Sequence, residues 1–463
     1  MSDDPHSSPR PTAAESDAAE TAARGAWATR AGFIFAAVGS AVGLGNMWRF
    51  PYLTAEEGGA AFVLLYLLMT FLIGIPLMIC EFAVGRRTRR SPIAALRREG
   101  GNGWTPLGYL FVATGFLILA YYSVIAGWVT RYALGALLSG FPADPGAHFS
   151  DMASGGPAIL FHLAFMVITI GIVMGGVEKG IERASLLMMP TLFLLILGLA
   201  VWAFTLAGSE EGYAFYLAPD IESILSFSVL GEAASQAFFS LSLGMGAMLT
   251  FASYLSRDNA LPNEATIIAF SDFGVAFVAG LVVFPIIFAL GLQEQVGEST
   301  IGALFISLPA AFASLGVLGR VIGAGFFIAL FIGATTSAIS LLEVVTSSVI
   351  DEWKIPRKQA ALWMGVAITL LGIWPALDLD ALGAFDAVAS SVFLPLGGLF
   401  LAIFVGWVMH QPVDEVAEAA SPGLRRIIPA WYWTIRVVAP VLLVVVLIYT
   451  VPTAIDAVRA LGR

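Results

Sequence analysis

The chain is expected to fold as an all-α membrane protein, and three observations carry that expectation. Of its 463 residues, 58% are hydrophobic and only 12% are charged, with a mean hydropathy of +0.87. That composition lies outside the range of water-soluble domains. Apolar runs long enough to cross a bilayer, roughly 20 residues each, recur eleven times. The loops between them alternate in charge. Net charge is −10, carried by tails and loops, and the single cysteine, Cys80, excludes an intrachain disulfide and a cysteine metal cluster.

The elements follow in order. Residues 1–23 mix acids with Ser, Pro and Ala and lack the basic and apolar regions of a signal peptide; they read as a disordered cytoplasmic tail. Spans are expected near 28–53, 60–84, 107–135, 157–175, 186–207, 226–254, 265–291, 318–348, 359–375, 383–409 and 430–455, with short extramembrane helices near 141–155 and 299–315. The loops after even-numbered spans are basic: Arg86, Arg87, Arg89, Arg90, Arg97 and Arg98, then Lys179 and Arg183, Arg257, Lys354, Arg357 and Lys358, and Arg425 and Arg426. The opposite loops carry Asp144, Asp151, Glu210, Glu211, Glu294, Glu298, Asp378 and Asp380. Basic loops stay in the cytoplasm, so the N-terminus reads as cytoplasmic and the C-terminus as outside.

Two spans are chemically out of place. The first contains Gly39-Ser40-Ala41-Val42-Gly43-Leu44-Gly45-Asn46-Met47-Trp48-Arg49-Phe50-Pro51. Glycine costs about 1 kcal/mol in a helix interior, and an unsatisfied backbone group in hydrocarbon costs several more. A helix broken here must line a cavity. The sixth reads Gln236-Ala237-Phe238-Phe239-Ser240-Leu241-Ser242-Leu243-Gly244-Met245-Gly246-Ala247 and is interrupted in the same way. The two lie five spans apart, an odd number, so a five-helix repeat is inverted. Paired broken helices in inverted halves point to a transport site. The expected organisation is a first repeat at 24–208, a second at 209–410, and a cytoplasmic loop with helix 11 at 411–463, with helices 1 and 6 broken at mid-membrane.

These stretches carry a resemblance. Trp27-Ala28-Thr29-Arg30 followed by the Gly39–Pro51 motif resembles the first helix of neurotransmitter:sodium symporters. Phe239-Ser240-Leu241-Ser242-x-Gly244-x-Gly246 resembles their sixth helix, Gly180-Ile181-Glu182-Arg183 their loop 4–5, and Thr336-Ser337 their eighth helix. The likeness runs from about residue 24 to 455, and eleven spans resemble the shorter prokaryotic amino-acid transporters of the family.

The resemblance implies two sodium sites. The first matches the Ala41 carbonyl, Asn46, Ser240 and Asp272; the second matches the Gly39, Val42 and Gly333 carbonyls with the hydroxyls of Thr336 and Ser337. Sodium takes hard oxygen ligands, which unwound backbone supplies. Asp272 replaces an Asn of many relatives and implies chloride independence, since it brings a negative charge of its own. The register also admits Ser271. The substrate pocket matches Ala41, Gly43, Leu44, Gly45, Ile118, Tyr122, Phe239, Ser240, Ser242, Met245, Ser337 and Leu341. Amine-transporting members carry Asp at the Gly43 position, so glycine there implies a substrate with its own carboxylate, held by the Leu44 and Gly45 amides and the Tyr122 hydroxyl. None of the walls is charged, which disfavours acidic and basic side chains and favours a neutral, apolar amino acid; Met245 is adaptable.

Arg49, a charge inside a span, is functional by default, and its expected partner is Asp386 in an outer gate. Arg24, Trp27, Tyr254 and Asp351, with Ser253, match the inner gate. Glu81 and Gln236 are expected to brace the unwound part of span 6, and His162 and His410 to be incidental. The resemblance also implies rocking of spans 1, 2, 6 and 7 against a scaffold of 3, 4, 8 and 9. The expected activity is sodium-coupled import of an amino acid across a prokaryotic plasma membrane, with the lipid bilayer as surroundings. A proton-coupled or exchange-type carrier and a non-transporting receptor stay open beside it. No catalytic pair or nucleotide loop stands out, so the chain is not read as an enzyme, and the sequence leaves open whether it forms a homodimer.

Overall fold

In the computed structural model, residues 26–219, 227–291 and 302–461 are described; all regular structure among them is helical. Tail residues 1–23 and the gate candidate Arg24 lie outside the described residues. Nine helices among those described are long and apolar enough to cross a membrane, and one further pair passes that test jointly but is bent by 47°. The bent pair comes first: α1 is Arg30–Ala41 and α2 is Gly45–Glu56. Then follow α3 (Ala60–Thr88), α4 (Asn102–Leu138), α5 (Gly155–Met174) and α6 (Val177–Ala203). The sixth expected span is divided between α7, Phe227–Ser240, and α8, Ala247–Ala252. The chain continues through α9 (Leu261–Ala289), α10 (Gly316–Trp353), α11 (Arg357–Leu377), α12 (Leu379–Val408) and α13 (Pro422–Ala460). The loop stretches expected near 141–155 and 299–315 contain short helices at Pro145–Ala153 and Leu308–Ser314.

Local chemistry sets the ends. The Thr29 side chain caps α1 by accepting from the Gly32 N–H at 2.9 Å. The Glu182 carboxylate in turn accepts from the amides of Ala28 (2.7 Å) and Thr29 (3.1 Å). Its head occupies the room a side chain at Gly32 would need, since a Cβ there would lie 2.1 Å from Glu182 Oε1. This gives the Gly180–Arg183 motif a concrete role: it anchors the start of α1.

Four helices, α4, α5, α10 and α11, pack pairwise with one another, and the α4–α10 seam is the most extensive among the described elements. They correspond to the expected scaffold of spans 3, 4, 8 and 9. Small residues permit the close approach: a Cβ at Gly127 would stand 2.8 Å from the backbone of α5. His162 on α5 is fully buried in this group and its Nε2 lies 3.0 Å from the Thr369 carbonyl of α11. Its ring is taken up in packing between the two helices. The broken helices and α3 and α9 form the other side, so the cavity described next lies between the two groups.

Candidate functional site

The break in the first span frees backbone groups. Helix α1 ends at Ala41, Val42 is extended (φ −72, ψ 111), and the next helical turn starts near Leu44. Opposite it, residues 241–246 form turns between α7 and α8. Gly244 and Gly246 have φ of 77° and 72°, and Ser242 adopts φ 53°. A left-handed conformation costs a non-glycine residue about 1–2 kcal/mol. Ser242 is held there by a bond that joins the two breaks: its hydroxyl donates to the Ser40 carbonyl at 2.7 Å. The fully buried Glu81 of α3 accepts from the Gly244 and Leu249 amides at 2.9 and 3.0 Å, so it braces the second break as expected. Gln236 does not. Its amide donates to the Gly45 carbonyl at 3.0 Å, which braces the first break instead; α7 points this side chain across the gap rather than along its own chain.

Two oxygen-rich clusters flank the break. In one, Ser337 Oγ lies 3.4, 3.3 and 3.3 Å from the carbonyl oxygens of Gly39, Ser40 and Val42. A hydroxyl has one proton, so it satisfies at most one of these three acceptors. The Ser40 carbonyl already accepts from Ser242, so Ser337 can serve only one of the Gly39 and Val42 oxygens, whose negative ends converge on the same point. Thr336 Oγ1 stands beside them, donating within its own helix toward the Ile332 and Gly333 carbonyls at 3.1 and 3.0 Å. Glycine keeps the elements close here: a Cβ at Gly39 would be 2.9 Å from Thr336 Cβ.

In the other cluster, Asp272 of α9 is fully buried. Its Oδ1 accepts from Asn46 Nδ2 at 2.7 Å. Its Oδ2 accepts from Ser240 Oγ at 2.7 Å and from the Tyr66 hydroxyl at 3.1 Å. Asn46 Oδ1 in turn accepts from the Gly43 N–H at 3.0 Å. Asp272, and not its more exposed neighbour Ser271, faces the break. All of its donors are neutral, and no salt bridge to it is found among the described residues. A buried carboxylate without a countercharge is costly, so the cluster is complementary to a cation. Tyr66 was not anticipated. The available signal was a tyrosine in the middle of an apolar span, whose hydroxyl needs a partner at that depth.

Between the clusters lies a narrow cavity of about 20 Å³, room for one water molecule. Eleven of the twelve expected wall residues line it: Ala41, Gly43, Leu44, Gly45, Ile118, Tyr122, Phe239, Ser242, Met245, Ser337 and Leu341. The twelfth, Ser240, does not line it, because its hydroxyl turns to Asp272; Ser40 lines the cavity instead. The Leu44 N–H donates to the Tyr122 hydroxyl at 3.3 Å. Around Gly43 there is no spare room, since a Cβ would meet Ser337 Oγ at 2.4 Å and Tyr122 Oη at 2.9 Å. No wall residue is charged.

The expected outer pair is not made. Arg49 donates to Gln236 Oε1 at 2.8 Å, lies 3.6 Å from Glu232, and sits 5.6 Å over the Phe239 ring. Asp386 accepts from the Tyr121 hydroxyl at 2.8 Å. The physical reason is helical spacing: Glu232, Ser235 and Gln236 occupy one face of α7 at i, i+3 and i+4 and present three acceptors to one guanidinium. On the other side, the Trp27 indole donates to the Phe251 carbonyl at 2.9 Å and packs edge-on against Phe33, Phe251 and Tyr254. The Tyr254 hydroxyl donates to Glu343 at 2.7 Å, and Arg357 bridges to the same carboxylate at 2.7 Å. Asp351 is buried and accepts from the Ser91 N–H at 2.7 Å. Ser253 donates back to the Thr250 carbonyl at 2.6 Å. Glu343 and Arg357 were missed because neither is distinguishable by sequence from acids and bases at a span end.

Comparison with known proteins shows what the chain as a whole is similar to. A model described as the sodium:neurotransmitter symporter family matches residues 24–151 and 148–458. The uncharacterized sodium-dependent transporter YhdH of Bacillus subtilis is 35% identical over 439 residues, 91% of this chain and 96% of its own. The sodium-dependent neutral amino acid transporter B(0)AT2 of Bos taurus is 32% identical over 316 residues, 59% of this chain and 42% of its own. A solved structure, MhsT in complex with L-phenylalanine, superposes with a TM-score of 0.83 at 40% identity, covering 92% of this chain and all of that one.

Proposed function

Because the chain belongs to the sodium:neurotransmitter symporter family, we propose that it imports a neutral, apolar amino acid by sodium-coupled alternating access, with two sodium ions and without chloride. The observation that carries this reading is the juxtaposition of three things: a buried carboxylate with only neutral donors, carbonyls released by a helix break, and an uncharged cavity between them. A sodium ion at Asp272 balances the charge, and half a turn of the Asn46 amide directs Oδ1 to the ion. A second ion takes the carbonyls gathered around Ser337, with Thr336. The substrate carboxylate meets the Leu44 and Gly45 amides and the Tyr122 hydroxyl, and its ammonium meets the carbonyls of Ala41 and Phe239. An apolar side chain enters against Ile118, Phe239 and Met245. The cavity is narrow, so the pliable Met245 side chain moves aside for it. Because Asp272 brings its own negative charge, no anion is required.

We further propose eleven spans, with 24–208 and 209–410 as inverted repeats, helices 1 and 6 broken at mid-membrane, and the arginine-rich loops in the cytoplasm. In this arrangement the Trp27–Tyr254 side is closed, and Arg49 and Asp386 come together when the outer side closes. Uptake into proteoliposomes under sodium, potassium or proton gradients tests the reading, with a panel of amino acids competing against radiolabelled phenylalanine. Uptake driven by sodium and inhibited by apolar amino acids is expected. Uptake that follows a proton gradient alone, or inhibition by lysine and glutamate, overturns it.

A further inference from the structure

At the end of the bundle opposite the arginine-rich loops, basic residues are rare. Among the described residues, apart from the gate candidate Arg49, there are three, Arg131, Arg320 and Arg459, against a run of acids. Arg459 lies 3.4 Å from Asp456. Arg320 caps the last turn of α4, donating to the Ala136 carbonyl at 2.9 Å and to that of Leu137, where a cation suits the helix end. Arg131 has no such duty. Its Nε is buried with no hydrogen-bond partner, and no ion pair of its head group is found among the described residues. Its guanidinium rests 5.4 Å over the Phe161 ring of α5.

Arg131 lines a cavity of about 520 Å³ between the end of α4, the start of α5 and the loop that joins them. His148, Tyr132 and Phe161 share its walls. Burial and the nearby Arg131 push the His148 imidazole down, while Asp151 opposes this, so at neutral pH the ring is an uncharged hydrogen-bond partner. The rim is of another kind. Leu134 and Leu138 line the same cavity and are 45% and 79% exposed, and Leu160 on α5 is 61% exposed. Exposed leucines at the end of a membrane span are suited to contact with lipid. Arg131 lies seven residues before the end of α4, about 10 Å along the axis, a depth at which an arginine head reaches the headgroup layer.

We propose that this groove binds an anionic phospholipid, whose phosphodiester pairs with Arg131 and His148 while an acyl chain lies along Leu134 and Leu138. Under the orientation proposed above, that lipid belongs to the outer leaflet; the binding itself does not depend on transport. A charge-assisted bond to phosphate supplies what the buried Nε lacks, and the open apolar rim favours a lipid over a soluble anion. The cavity also shows how to block the site without touching the charge. Gly135 lines it, and a Cβ there would have nothing within 4 Å, so Gly135→Leu fills the groove and replaces glycine by a better helix former.

The test is native mass spectrometry of the full chain extracted from vesicles of equal phosphatidylglycerol and phosphatidylcholine. The wild type should retain phosphatidylglycerol preferentially. Arg131→Gln and Gly135→Leu should each lower that retention about tenfold, and Arg459→Gln should leave it unchanged. Sodium-dependent thermal stabilisation, measured alongside, reports that each variant is folded. Equal retention by Gly135→Leu and wild type overturns the proposal even if Arg131→Gln does not fold. Release of the lipid by inorganic phosphate as readily as by excess phosphatidylglycerol overturns it in favour of a soluble-anion site. Loss of transport with lipid retention intact would instead count against the symporter reading.

Discussion

Replacing Asp272 by Asn is the most discriminating perturbation. The side chain keeps its shape, so the fold is spared, but the negative charge and one acceptor go. The retained oxygen can still accept from Asn46 Nδ2, 2.7 Å from Oδ1, while the new NH2 takes the Oδ2 position, where the Ser240 and Tyr66 hydroxyls must turn to accept. The carboxylate's attraction for an ion about 4 Å away is roughly 4 kcal/mol at an effective dielectric constant near 20. Part of that is offset, because the wild type must bury a charge and the variant need not. A net loss of about 1.5–3 kcal/mol remains, or ten- to about a hundredfold in sodium affinity. Two assays read it. Sodium titration of thermal stability should show a weaker response: an ion at a hundred times its Kd stabilises by about 2.7 kcal/mol, which falls to about 0.4 kcal/mol when Kd rises a hundredfold. Without sodium, the variant should be as stable as the wild type or more so. Uptake in proteoliposomes should become stimulated by chloride, which supplies the missing charge. An unchanged sodium midpoint together with indifference to chloride would refute both the ion site and the role given to this carboxylate.

Four further outcomes are expected. Asn46→Ala strips the Gly43 amide and Asp272 Oδ1 of their partners; sodium titration should show at least tenfold weaker binding, with far-UV circular dichroism unchanged. Gly43→Asp places a Cβ 2.4 Å from Ser337 Oγ and a second anion beside the substrate carboxylate; uptake should be abolished, and normal uptake would remove the pocket from this site. Tyr66→Phe deletes one donor to Asp272 Oδ2 and should cost about 1–3 kcal/mol, read as a lower melting temperature in the absence of sodium. Glu81→Gln weakens the clamp on the Gly244 and Leu249 amides, since one of its terminal atoms becomes a donor facing a donor; thermal melts should show a loss of about 1–3 kcal/mol with sodium affinity little altered.

Much of this site was legible because the bilayer makes polarity expensive. Asn46, Ser240 and the clustered glycines stand out in apolar spans, and a polar group at that depth has few explanations other than a partner or a ligand; Asp272 was picked out by the family resemblance. The scaffold of α4, α5, α10 and α11 was legible only through the family resemblance, since nothing in four separate apolar runs says that they meet. Partner choice was not legible at all where several acids compete. Arg49 was matched to Asp386 by sign alone, while Glu232 and Gln236 reach it through the helical repeat of α7, and that repeat fixes neighbours only once the helix's rotation is known. The partners of Tyr66, Glu182 and Glu343 were hidden for a related reason: a single tyrosine within a span and acids near span ends are ordinary, and only the fold reveals what each one reaches.

Under the proposed function, coupling between ion and substrate needs no distant relay, because the same groups would serve both. Asn46 holds the Gly43 amide at 3.0 Å, and Gly43 is a wall of the cavity. Turning the Asn46 amide to face an ion releases that N–H toward the cavity, where a carboxylate is the natural acceptor. Ser337 likewise lines the cavity while it touches the carbonyls of Gly39, Ser40 and Val42. An ion that draws those carbonyls away frees the Ser337 hydroxyl for the substrate side. Each ligand therefore prepares the other's seat, and the coupling free energy must be the same in both directions. Sodium should raise amino-acid affinity by the factor by which the amino acid raises sodium affinity. Calorimetric titrations run in both orders on the same protein should return one number, and two different numbers would mean that the seats are not shared in this way.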